Sequence, residues 1–564
     1  MRNRRPGSHG IFPRAIRLAV DVLEDRTMPS TFLVTTALDP RGALVRGSLR
    51  WAVAQANLPR NQGSTVAITA AVPGTITLRA GELAIRSNLT IENDSGHPLT
   101  IQQGTANSRI FHVFNNPRTT AVSITGQSAA GTITLTGGQV RNSDGGAILV
   151  DNPQNLLTLA YVNVVGNSAT QVGQPKRGDK GNGGGIYSSG TVTLDHTSVS
   201  GNIANGPNSA SGHAGGVYTD RGITLTASQV SSNTARNSPG ILNVFGTVEV
   251  VDGSAVDGNS SYGNSLKTGN LGGGGIGEMA GNVIVSHSQV NNNKAAGMYS
   301  AGIVILLGGA TVTDKSDVDG NSNTGPGGGI AANFGGAVTV SDGSQVDGNT
   351  GAGLGGGIVN FSETFGISVT SASEVVGNTL TNNEDAAVTS GLILVGTTPF
   401  VRQAVISGGR GDTMLAAALE LFTSACAQRV AIIQQADNAF PSQGAVEVGG
   451  GIAEASGGPI VVSGGSSIND NGFASVTASD PAIGVGGGIF ANLGPITIDG
   501  STISGNSATG DGGGIWNGTS LSISNSVVTN NHARGLGGGI FNQGAFTKSN
   551  TSVVDNTPDD IYTA

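Results

Sequence analysis

At twelve places recurring along residues 164–556, a Val or Ile stands three positions before an Asn. The pairs are Val164/Asn167, Val199/Asn202, Val230/Asn233, Val256/Asn259, Val290/Asn293, Val318/Asn321, Val346/Asn349, Val375/Asn378, Ile468/Asn471, Ile503/Asn506, Val528/Asn531 and Val553/Asn556. Successive Asn residues are 35, 31, 26, 34, 28, 28, 29, 93, 35, 25 and 25 apart. A Ser or Thr stands five before the Asn in every case except the first, where Val162 takes the place. A period of this size, held by so few residue types, is the mark of a solenoid.

A second element alternates with the first. Two to four glycines precede an Ile or Val at 145–148 (there with Ala147 between), 183–186, 215–217, 272–276, 327–330, 355–358, 449–452, 486–489, 512–515 and 537–540. Between the two elements lie runs such as "TVTL" (191–194), "ITLT" (223–226) and "AVTV" (337–340), which alternate apolar with polar as half-buried strands do. A unit with three short strands and no helical period cannot bury its apolar side alone. Stacked units can, if each strand pairs in parallel with its copy one coil on, about 4.8 Å away. The expected fold is therefore all-β, a right-handed parallel β-helix with three strands per coil. Its Asn residues would hydrogen-bond to their copies above and below, so that each buried amide is satisfied. The Ser/Thr positions would do the same.

The ends and one interruption stand apart. Residues 31–140 read as strands without the full signature and form the N-terminal cap and first coils. Within them "GSLRWAVAQAN" (47–57) offers Ser48 as N-cap and Leu49, Ala52, Val53 and Ala56 at helical spacing, a helix able to cover the first strand edges. Repeats fill 141–378 and 449–564. Segment 379–448 holds the only long helix-like run, 411–440, and accounts for the spacing of 93 either as an excursion or by displacing about two coils. At the tail, Pro558, Asp559 and Asp560 discourage further pairing.

Composition narrows the function classes. Glycine is 92 of 564 residues without a Gly-X-Y period, which excludes collagen. Residues 1–30 carry six arginines and three acidic residues, leaving 22 basic against 34 acidic residues beyond them. An acidic body argues against nucleic acid as a partner. Cys426 is the only cysteine, so neither an internal disulfide nor a cysteine metal site can form. No stretch is apolar for long enough to be a transmembrane helix. Residues 1–30, with "LEDRTMPS" at 23–30, resemble the export segment of bacterial surface and secreted proteins.

Gly-Gly-apolar alternating with apolar-x-x-Asn resembles the repeats of polymorphic outer-membrane proteins, which are autotransporter adhesins, with Val or Ile here in place of their usual Phe. "NTPDDIY" (556–562) is similar to the closing coil of bacterial β-helix surface proteins. The resemblance covers roughly residues 30–564. It implies an exported, cell-surface or extracellular structural protein of adhesion type, whose partner is a polysaccharide or another surface protein.

The fold also serves enzymes, pectate lyases and polygalacturonases among them, so a polysaccharide lyase, glycoside hydrolase or glycan-binding protein is the alternative. Such chemistry needs converging carboxylates. The strands contain no Asp-Asp pair, and the nearest candidate is Asp195–His196 in a turn. Asp recurs near that turn at Asp252, Asp314, Asp342 and Asp499, as a turn-forming residue would. Asp319 and Asp347 share one position in adjacent coils, where a calcium ion could relieve their repulsion; no other cofactor is indicated. After the inward Ile or Val comes an aromatic at Tyr187, Tyr218, Phe490, Trp516 and Phe541, which alternation turns outward into an expected sugar-binding column beside Asn517 and Asn542. Thr193, Thr224, Thr339 and Thr497 face outward on the second strand, an arrangement also met in ice-binding β-helices.

Overall fold

The computed structural model describes residues 29–114, 119–173, 180–207, 211–262, 273–296, 300–325, 327–333, 336–362, 364–381, 446–454, 456–473 and 483–564. Residues 1–28 of the expected export segment, the helical run at 411–440 and Cys426 lie outside them. The described chain is a right-handed parallel β-helix in which nearly every strand pairs with the equivalent strand of the next coil. Three large parallel sheets run along it. One has 29 strands and contains the first and second strands of the coils. These two sets join where Ile241–Val251 and Ile276–Ser286 run unbroken round the corner. The third strands, which carry the Val of Val-x-x-Asn, form a sheet of 15, so the rod is about 70 Å long at 4.8 Å per coil. A third sheet of ten strands consists of short runs directly after the Asn, such as Ser168–Thr170. This fourth strand goes unseen in the sequence because two or three residues show no alternation.

Inward residues of the first three strand sets make one continuous core, from Val34 through Ile186, Val192 and Val199 to Ile540 and Val553. The asparagines form the expected ladder beside it. In all eleven steps, from Asn167–Asn202 to Asn531–Asn556, Nδ2 donates to Oδ1 of the next Asn at 2.9–3.1 Å. Three rungs show the full pattern. Asn233, Asn259 and Asn506 donate to Asn259, Asn293 and Asn531 at 3.0, 3.0 and 2.9 Å. Their second Nδ2 protons go back to the carbonyls of Val199, Val230 and Ile468 at 2.9, 2.9 and 2.8 Å. The backbone N–H of each Asn also reaches the next Oδ1, at 3.0 Å for Asn321 to Asn349. No polar atom of a ladder amide is left over. The Ser/Thr column works the same way, each backbone N–H donating to the hydroxyl one coil on, as Thr197 to Ser228 and Ser254 to Ser288.

The glycines are the other half of this contact. A Cβ on Gly329 would lie 3.0 Å from Nδ2 of Asn349 and 2.6 Å from the carbonyl oxygen of Gly357. In most coils bare backbone is thus pressed on the Asn ladder, and a side chain at Gly329 would force its neighbours to shift.

The N-terminal helix forms as expected over Leu49–Ala56. Ser48 Oγ accepts from the N–H of Trp51, and Leu49, Ala52, Val53 and Ala56 are buried. Asp39 fixes it by pairing with Arg50 at 2.6 Å and accepting from the N–H groups of Arg79 and Ala80. The tail corrects the expectation drawn for it. Asp559 and Asp560 do not end the pairing: Ile561–Thr563 adds one further first strand against Ile540–Asn542. Asp560 Oδ1 instead takes the place of the next ladder Asn, accepting from N and Nδ2 of Asn556 at 3.1 and 3.0 Å.

The spacing of 93 is also resolved. Asn378 donates directly to Asn471, and Ile358, Ile367 and Val375 pair with Ile452, Ile460 and Ile468. The segment between is an excursion, and no coil is displaced. Thr381 pairs with Ala352, and Val448 bridges Leu354, so these two flanks correspond to a place where the preceding coil has a single residue, Gly353.

Two outcomes follow from these contacts. Replacing residues 382–445 by a two-residue linker should leave the circular dichroism of the rod unchanged and its melting midpoint within about 3 °C. Asn321→Ala strands the donors of Asn293 and the carbonyl of Val290, and should cost about 3 kcal/mol in chemical denaturation.

Candidate functional site

The aromatic column does not reach the surface. Tyr187, Tyr218, Phe490, Trp516 and Phe541 are 0–8% exposed. Alternation does turn them away from the main core, but a second apolar cluster receives them. Leu149, Leu242, Val304 and Val359 continue the column in other coils, and Ala214, Leu354, Val448 and Val485, from the chain just before the glycines, lie against it. Both faces of the first strand are thus buried, which a period-2 reading cannot distinguish from a half-exposed strand. The rings also stack on one another along the rod, with centroids 4.7 Å apart for Tyr187–Tyr218 and 4.8 Å for Phe490–Trp516. Their faces are occupied by their neighbours and offer no platform to a sugar. Asn517 and Asn542 are interior as well, joined to each other at 2.6 Å.

The ladder asparagines are equally closed to a ligand. Asn167, Asn202, Asn233, Asn259, Asn293, Asn321, Asn349, Asn378, Asn471, Asn506, Asn531 and Asn556 are all buried, and Asn233, Asn259 and Asn506 have no exposed surface at all. Every amide is spent on the stack, so these positions hold the fold and form no binding site.

Asp195 and His196 are exposed, with Oδ1 and Nδ1 2.7 Å apart, and His196 stacks on Tyr161 of the preceding coil at 4.7 Å. His196 has φ +45°, and Asp252, Asp314 and Asp342 have φ of 54, 56 and 56°, so those aspartates share the turn position of His196. Asp499 alone matches Asp195, since both end the second strand. Among the described residues no further carboxylate, imidazole or ammonium group pairs with them. Asp319 and Asp347 are in register, and burial together with Asp347 and Asp317 pushes the Asp319 carboxyl up. Among the described residues no three His, Cys, Asp or Glu side chains converge to hold a metal ion.

The densest ionisable cluster lies elsewhere, on the outer side of the first strands in the N-terminal coils. His112 occupies the register of the aromatic column, between Ala84 and Leu149. Its Nδ1 is 3.0 Å from Glu82 Oε1 and its Nε2 2.7 Å from Asp151 Oδ2. Arg109 pairs with Glu82 at 2.9 Å and donates to Ser143 Oγ and to the carbonyls of Asp144 and Gly145. Lys180 closes the set on Asp144 at 2.7 Å. Phe114 stacks on His112 at 3.7 Å, and the Arg86 guanidinium lies 3.9 Å over Phe114.

Burial pulls the His112 pKa down, but the bonds to Asp151 and Glu82 outweigh it and raise it overall. Burial likewise raises Glu82, and is outweighed by His112 and Arg109, which leave it below the usual range. The cluster sets imidazole and guanidinium against carboxylates. Each ring nitrogen of His112 faces a carboxylate, at 3.0 and 2.7 Å, so both are engaged within the cluster. These residues come from four coils and stand 27–39 positions apart, so no local motif announces them.

Two more carboxyls are wholly inside. Glu278 accepts from Asn243 Nδ2 at 2.6 Å and from the N–H of Ala280. Glu454 Oε1 accepts from the N–H of Ser456, and Oε2 has no hydrogen-bond partner among the described residues. Burial pushes both up to about 8. Their signal is present in the sequence: "GGIGE" and "GGIAE" place Glu where "GGGIVN", "GGGIWN" and "GGGIFN" place Asn.

No family model, no curated protein and no solved structure matches this chain.

A carboxyl whose folded pKa lies above its unfolded value stabilises fully below about pH 4.5 and loses that contribution as the pH climbs to about 8. The raised His112 acts with the same sign at the upper end of that range. The melting temperature should therefore fall between pH 5 and 9. Glu278→Gln with Glu454→Gln keeps the neutral shape at every pH and should remove most of that slope, worth a few kcal/mol at pH 8.

Proposed function

We propose that this chain is an exported, non-catalytic β-helical rod that works at a cell surface or outside the cell, presenting its lateral faces to a polysaccharide or another surface protein. The observation that carries the reading is the employment of its repeated polar side chains. The Asn and buried Ser/Thr columns are bonded within the stack, and the densest ionisable cluster holds its histidine between two carboxylates. A general base must have a free lone pair near the proton it removes. The resemblance to adhesin passenger repeats supports the same reading, as does the acidic balance of the chain beyond residue 30.

Two measurements test it. The purified chain, incubated with plant, algal and bacterial polysaccharides with and without calcium, should release neither reducing ends nor unsaturated uronates. Products that disappear on Asp195→Ala or His112→Ala would make it an enzyme. On intact cells, externally added antibody should reach the chain; labelling only after lysis would overturn the surface assignment.

A further inference from the structure

The hydroxyl residues of this protein fall into two kinds of column. Those five before the Asn are interior, and their oxygens accept from the backbone of the neighbouring coil. A second column lies on the outer side of the second strands, where six consecutive coils place Thr65, Thr90, Ser123, Thr158, Thr193 and Thr224 in direct register. All six are half-exposed. Ser123 bonds to Thr125, and Thr224 to Glu249. The hydroxyls of Thr65, Thr90, Thr158 and Thr193 bond to nothing among the described residues. Hydroxyls recur in the same register further along, at Thr311, Thr339, Thr497 and Thr547.

We propose that this outer row is a docking line for one strand of a linear, uncharged, hydroxyl-rich polysaccharide lying along the rod axis. The inference rests on the surface-rod reading and names the face and the partner chemistry. Three features select the partner. The row itself contains no ionised side chain over the six coils, and the carboxylates beside it, Glu92, Asp195 and Glu249, disfavour a polyanion. It repeats once per coil, about every 4.8 Å over about 24 Å, at a rise comparable to that of a β-linked sugar chain. It is also a single row. The outward position two residues on reads Ala67, Glu92, Thr125, Ala160, Asp195 and Thr226, changing chemistry from coil to coil. A two-dimensional lattice such as ice would find no second row to match, whereas one extended chain needs only the first. With no aromatic in the row, affinity comes from many weak hydroxyl contacts made together on a surface that is already rigid.

The test compares the full chain with Thr158→Val/Thr193→Val, which keeps shape and strand preference while removing two free hydroxyls. Ser200→Ala, on the third-strand face, is the control. Retention is measured on amorphous cellulose and chitin and by titration with soluble mannan and xylan, with melting temperatures recorded for all three proteins. The expected result is retention of the wild type and the control, with the double variant binding about ten- to thirtyfold more weakly at an unchanged melting temperature. Failure of the wild type to bind any of the four polysaccharides would overturn the proposal, as would equal retention of the double variant. Inhibition of ice growth that is lost in the double variant, without glycan retention, would assign the row to ice and overturn it too. Row-dependent binding accompanied by new reducing ends would uphold the row and remove the non-catalytic reading instead.

Discussion

Everything in this molecule hangs on a hydrogen bond between identical side chains, the Nδ2 of one Asn to the Oδ1 of the next. A buried amide costs several kcal/mol unless it is fully paired, so each Asn inside the rod makes a neighbouring Asn necessary. The glycines suit the same contact, because bare backbone approaches the amide most closely where the coil closes. The carbonyl three residues earlier takes the second amide proton of the Asn one coil on, and the Val that carries it turns its side chain into the core.

The bond has a direction. All eleven steps donate toward the C-terminal end, so the column is a line of aligned dipoles with unpaired donors at its last member. A carboxylate is the natural terminator of such a line, for the reason that acidic residues suit the N-terminal ends of helices. Asp560 holds that position for the main ladder. Glu278 does so for a short one, receiving Asn243 where the next coil offers only Ile305. Exposure divides the two devices. Asp560 lies at the end of the rod, whereas Glu278 is interior and held neutral, which ties the stability of the middle coils to proton concentration.

The fold was legible in the sequence because its signals are local and repeated. The Asn register, the hydroxyl column, the capping helix at Leu49–Ala56 and the parallel stacking could all be derived from spacing and residue type. What escaped depended on neighbours that spacing does not supply. Tyr187 and Trp516 alternate outward correctly, but whether outward means solvent depends on what lies against the strand, and the glycine-flanking segments do so. The His112 cluster escaped for a related reason. Its members come together only once coils of unequal length are aligned, and Arg109, His112 and Asp151 stand in coils that lack the full repeat. Glu278 and Glu454 were readable as variants of an Asn position that received less notice than the ladder itself.

A helix covers the first coils and a carboxyl, Asp560, receives the last Asn of the ladder. The coils between them share one register from strand to strand. A lineage that lengthens or shortens such a chain can therefore duplicate or delete from within. The rungs ending at Asn531 and Asn556, each 25 residues after its predecessor and alike at 11 of 25 positions, have the form such a duplication would leave after divergence. Reach is then an inheritable quantity that changes in steps of one rung, while the closing parts stay fixed.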